Sequence, residues 1–179
     1  MFYSLTEIVV IGVIMTCGSL VQGAVGFASG LICVPLLVLC SVPLPEAATI
    51  NLVSTSLQNI TGATKLWSHL EPRQLVFPVG VRWLFIPIGV YAAWHVDHHL
   101  SPERSKQLIG LVLVGILILI WIGRAEPRER LSRWWQSLAF STSGFLQGFA
   151  SIGGGPLVLY VNSLTWTANK SRAIVFTCA

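Results

Sequence analysis

Charge is what this sequence has least of. Only 10% of its 179 residues are Asp, Glu, Lys or Arg, against 54% hydrophobic. A soluble domain usually carries about a quarter charged residues, so this chain cannot clothe a water-facing surface in the ordinary way. Other chemistry is missing too. The cysteines, Cys17, Cys33, Cys40 and Cys178, lie apart in apolar stretches with no CxxC pair. They read as small packing residues, not as a metal or redox centre. No P-loop GxxxxGK[ST] occurs, which argues against an ATP motor, and no cofactor motif is present. The first basic residue is Lys65, so the N-terminus lacks the basic region of a signal peptide and reads as retained. Glu7 and Glu46 fall near helix ends, leaving no acidic residue clearly in mid-span. The net charge of +4 is spread over short links between apolar runs. That distribution fits membrane topology, not a nucleic-acid face.

What the chain does have is apolar runs of about 20 residues, the length that crosses the hydrocarbon core. The run from Leu5 to Cys40 would be roughly 54 Å long as one helix, too long for one ordinary crossing. It is interrupted by Gly23, Gly26, Ser29 and Gly30, which predicts two helical pieces, 5–24 and 30–41, around a hairpin tip or unwound segment. After the Ser41–Pro45 turn, a helix is expected over 46–66. It carries a polar stripe, Asn51, Ser54, Thr55 and Gln58, at i, i+3, i+4, i+7 spacing. Such a stripe should face protein or water, not lipid. Further helices are expected over 75–95 and 105–123. Between them, His95, Asp97, His98 and His99 read as a solvated link on the outer face, not a zinc site. A basic link, 124–133, precedes Trp134 and Trp135, which suit a membrane interface.

The last region repeats the first. Gln22 falls on Gln147, Gly23 on Gly148 and Gly30 on Gly155. Each copy has Gln-Gly, a Gly-rich break, then an apolar half-helix. Paired broken helices are the best sequence pointer to a transporter binding site. Eight of the eleven Lys/Arg lie at Lys65 and Arg73, at Arg124, Arg128, Arg130 and Arg133, and at Lys170 and Arg172. The positive-inside rule puts all three places on the cytoplasmic side. With three helices between the hairpins, the two copies are then inverted. The expected organisation is an all-α, polytopic membrane bundle. Residues 1–123 form the first repeat half, 124–133 a cytoplasmic link, and 134–179 the start of a second half that is incomplete, because the chain stops inside an apolar helical pattern.

At both breaks the sequence resembles the TauE/SafE family of sulfite and organoanion exporters. The residues that carry the resemblance are Gly18 to Leu37, through Gln22-Gly23 and Val34-Pro35, and Gly144 to Tyr160, through Gly153-Gly154-Gly155-Pro156. The second copy is the closer match; the first has Ala28-Ser29-Gly30 where a glycine run is usual. The resemblance implies a multi-pass protein of a bacterial-type inner membrane that exports sulfite, sulfonates or related small anions.

A half-helix that begins at a break presents unpaired N–H groups and the positive end of its dipole. Gly26, Ser29 and Gly30 in the first copy, and Gly153, Gly154 and Gly155 in the second, are therefore the expected anion cradle. Gln22, Gln147, Asn51, Thr55 and Gln58 are candidate hydrogen-bonding partners, and Arg82 a candidate counter-charge. Each has a plainer role open to it: close packing through glycine, ties to unwound backbone, or, for Arg82, snorkelling to the interface. Two rival functions remain open. One is a non-transporting membrane subunit. The other is an intramembrane serine hydrolase with Ser29 as nucleophile, which would need a nearby base.

Overall fold

The computed structural model describes residues 4–25, 28–122, 128–129 and 131–178. Gly26, and residues 123–127 and 130 of the basic link, lie outside that set. Among the described residues the chain forms eight α-helices and no sheet: α1 (Leu5–Val25), α2 (Ser29–Leu39), α3 (Leu44–Lys65), α4 (Pro72–His99), α5 (Pro102–Ile122), α6 (Arg133–Ala150), α7 (Gly154–Asn162) and α8 (Ala168–Cys178). The all-α expectation is met, and both Gly-rich segments do interrupt the helices.

One element differs from the sequence reading. α4 runs through the expected polar link, so His95, Asp97, His98 and His99 are helical. His98 Nδ1 pairs with Trp94 O and His99 Nδ1 with His95 O, both at 2.9 Å. The His95 and His99 rings stack with centroids 4.0 Å apart. Contacts one turn apart sustain a helix, and no glycine or proline interrupts before Pro102. The N-terminal end extends to Pro72, a residue suited to a first turn because its missing N–H would be unpaired there anyway.

α1 packs along α2, α6 along α7, and α3 against both α2 and α8. α4 and α6 form the most extensive pairing, and glycine makes it possible. A Cβ on Gly89 would lie 2.1 Å from Phe145 O, one on Gly144 2.4 Å from Arg82 O, and one on Gly148 2.1 Å from Ile86 O. The two backbones are in contact, as in membrane helix pairs built on small residues. The apolar core joins Val34 and Leu37 of α2, Ala47 of α3, Ile109 and Ile116 of α5, and Phe149 of α6.

The surface carries many large apolar side chains, and a set of polar side chains is buried beside the apolar core. Leu5, Leu20, Val76, Trp83, Leu84 and Leu111 are among many large hydrophobic side chains left exposed. Gln22, Ser29, Asn51, Thr55, Asn59, Arg82, Ser143, Gln147 and Ser151 are buried. Leu5–Ala24 and Leu75–His99 are long and apolar enough to cross a membrane. Both lie mostly exposed in the fold.

Candidate functional site

The second break is built by a helix stop and an immediate restart. α6 ends at Ser151, which adopts a left-handed conformation at φ 57. Ser151 N donates to Gln147 O at 2.9 Å and Ile152 N to Leu146 O at 3.1 Å, the paired bonds of a Schellman stop. Gly153 then turns the chain into α7. Its N–H donates to Gln147 Oε1 at 3.2 Å, and its carbonyl accepts from Ser143 Oγ at 2.6 Å.

The first break has a different build. Ala28, just before α2, sits at φ 97, a region that costs an L-residue with a Cβ about 1–2 kcal/mol. Its polar neighbours look to α3. Gln22 Nε2 donates to Asn59 Oδ1 at 3.1 Å, and the Ser29 hydroxyl donates to Asn51 Oδ1. Neither α2 nor α7 has a side-chain cap at its start. By contrast, the start of α6 is capped by Ser132, whose hydroxyl accepts from Trp135 N.

Both breaks open on one small cavity of about 30 Å³, lined by Gln22, Ala28, Gly30, Leu31, Asn51, Thr55, Asn59, Gln147, Ser151, Ile152 and Gly154. Six of the residues singled out from sequence meet there: Gln22, Gly30, Asn51, Thr55, Gln147 and Gly154. Ser29 and Gly153 are one bond removed, through Asn51 and Gln147. Gly155 is buried in the first turn of α7. Gln58 is turned aside and donates to Ser19 O at 3.4 Å. Arg82 is fully buried, 1% exposed, where α4 meets α6. It is not among the cavity lining, and with that burial it does not snorkel to an interface.

The lining is neutral throughout, with four carboxamides: Gln22, Asn51, Asn59 and Gln147. Among the described residues no histidine lines the cavity, and the hydroxyl of Ser29 is directed at Asn51. Chemically these are carboxamide and hydroxyl groups, each with donor and acceptor capacity, and they are paired largely with one another and with backbone. They include no acid–base pair.

Sequence reasoning missed Asn59, Ser143, Ser151 and Ile152. Asn59 was within reach, because the stripe of Asn51 and Thr55 continues one turn further to it. The two serines carried no pattern, since their roles depend on the backbone shape at the break.

Some of the basic residues lie close to one another. Lys170 bridges to Glu71 at 3.1 Å and lies 5.2 Å from the centre of the Trp166 ring. Arg73, Glu129, Arg133 and Trp166 share one groove. Arg128 N donates to Ser163 O at 3.0 Å.

Residues 10–177 match the model of the family described as Sulfite exporter TauE/SafE. None of the curated proteins and none of the solved structures matches the chain significantly.

Proposed function

The chain belongs to the TauE/SafE sulfite exporter family, a family of membrane transporters, and from that premise we propose that it exports sulfite or a related small oxyanion through the cavity between its two helix breaks. The observation that carries this reading is the convergence of both breaks on one neutral, donor-rich cavity.

An oxyanion in hydrocarbon needs compensation. The uncapped starts of α2 and α7 offer backbone N–H groups and the positive ends of two helix dipoles. Gly30 and Gly154 place main chain in the cavity wall, and Gln22, Asn51, Thr55, Asn59 and Gln147 supply side-chain hydrogen bonds. Neutral donors hold an anion without the grip of a direct ion pair, which suits a site that must also release it. Gly153 and Gly155 shape the start of α7; Ser29 and Gln58 support the neighbouring walls. Arg82 contributes a buried positive charge beyond the lining.

The same reading extends to the architecture. The exposed apolar side chains of α1, α4 and α5 face lipid, and the chain crosses a bacterial-type inner membrane several times. Residues 1–123 and 134–179 belong to the two halves of an inverted repeat joined by the 124–133 link. The end that gathers Arg73, Arg128, Arg133 and Lys170 faces the cytoplasm.

The test is efflux of labelled sulfite from proteoliposomes that contain the chain. Efflux above that of protein-free vesicles, abolished by Gly154→Leu with membrane insertion intact, is the expected result. A correctly inserted protein that moves no sulfite or sulfonate would favour a non-transporting subunit instead.

A further inference from the structure

The two breaks touch each other. A Cβ on Gly30 would lie 1.8 Å from Ser151 O and 3.3 Å from the Ile152 Cα, so the start of α2 rests with its backbone on the carbonyl of the second break. One side chain from a third helix spans that seam. Asn51 of α3, 0% exposed, accepts from the Ser29 hydroxyl with Oδ1. Its Nδ2 donates to Ser151 Oγ at 2.8 Å and reaches Ser151 O at 3.5 Å. A carboxamide carries an acceptor and a double donor on one short planar group, so each break takes a different end. A carboxylate or an aliphatic side chain of the same size could not satisfy both.

The donors at this seam, the Ser29 hydroxyl and the Asn51 amide, are already taken up by partners within the protein. An oxyanion in the cavity beside it can accept from them only if the seam widens and releases them.

We propose that Asn51 is the positioning residue that latches the two helix breaks together, and that the latch parts and re-forms in each transport cycle as the anion competes for its donors. This rests on the reading of the cavity as the anion site. The widening moves α2 and α7 apart at Gly30 and Ser151, while the glycine-packed α4–α6 pair stays closed.

The direct test places Ser29→Cys and Ser151→Cys together in a chain whose native cysteines, Cys17, Cys33, Cys40 and Cys178, are replaced by alanine. The pair is reconstituted and either oxidised or bridged by a short bis-thiosulfonate, with the cross-link verified by mass. Cross-linking is expected to lower sulfite efflux by about tenfold or more, and a reductant to restore it. Undiminished efflux through verified cross-linked protein overturns the latch. Wild-type chain in parallel vesicles reports on the transport reading separately. If wild type moves sulfite and the cross-linked pair does too, the latch alone fails; if wild type moves none, the latch falls with the function.

Should the reduced pair itself be inactive, a double-mutant cycle decides. Ser151→Ala removes a group with which the anion competes for the Asn51 amide, so it is expected to lower the apparent KM for sulfite several-fold, and to change it no further in an Asn51→Ala background. A Ser151→Ala effect of the same size in both backgrounds means the two residues act independently, and overturns the proposal.

Discussion

The two helix breaks share a Gln-Gly pattern and are held in different ways. The second break braces itself. Ser143 and Gln147, both on the helix that ends there, bind the carbonyl and the amide of Gly153, and a Schellman stop closes α6. The first break is braced from outside: Gln22 leans on Asn59 and Ser29 on Asn51, both from α3, while Ala28 holds a left-handed backbone with a Cβ in place. Similar sequence thus yields similar discontinuity but not similar rigidity. On the latch proposal, the self-braced break is the fixed wall of the cavity. The other depends on α3, whose Asn51 bridges both, and is the one the latch proposal expects to move.

The largest expected effect comes from Gly30→Ala. Its Cβ meets backbone, not a yielding side chain, so the breaks must separate. Sulfite efflux should fall by about a hundredfold with the protein still inserted, whereas Gly12→Ala, with nothing within 4 Å, should leave it unchanged. Efflux assays on the two variants make the check.

Asn51→Ala ranks next, because it strands the hydroxyls of Ser29 and Ser151 at once. Two buried groups left without this partner predict a loss of about 2–4 kcal/mol, read from denaturation in mild detergent. Hydrogen exchange should rise at the start of α2 more than at the start of α7. Equal loosening of both would break the contrast between the two supports.

Ser143→Ala removes one bond from the self-braced side, and about 1 kcal/mol is expected, with faster exchange confined to the residues around Gly153. Ala28→Gly should act in the opposite direction. Relief of the left-handed backbone predicts a gain of up to about 1 kcal/mol, measured by the same denaturation. Gly153→Ala should not mirror it: at φ −67 the backbone has no strain to relieve, and a Cβ would come within 2.5 Å of Ser143 O. The smallest effect is expected from Lys170→Ala at the surface bridge to Glu71. Such pairs contribute little, with shifts below about 0.5 kcal/mol.

Much of this was legible in the sequence. An apolar run too long for one crossing, with three glycines in its middle, announced the first break, and the matching Gln147-Gly148 announced the second. The polar face of α3 was visible in Asn51 and Thr55, because period and polarity are local properties. The continuation of α4 through His95–His99 was not visible, since polar residues suggested a link while their one-turn ring and carbonyl contacts keep the helix going. Nor was the seating of Gly30 on Ser151, residues far apart in the chain, because close backbone approach depends on where whole helices come to lie. Arg82 drew attention as a charge in an apolar helix; its position outside the cavity lining followed only from the α4–α6 packing. The difference in bracing rests on Ser143, Ser151 and Asn59, single polar residues whose partners only the folded chain brings near.

The central claim is that backbone amides at the two breaks receive the anion. Nitrogen-labelled glycine in the bilayer-reconstituted chain addresses it, with resonances followed by solid-state NMR as sulfite is added. The account predicts saturable shifts at Gly30, Gly154 and Gly155, while Gly12 and Gly80 stay still. Saturating sulfite that leaves the glycines of both breaks unmoved would contradict it.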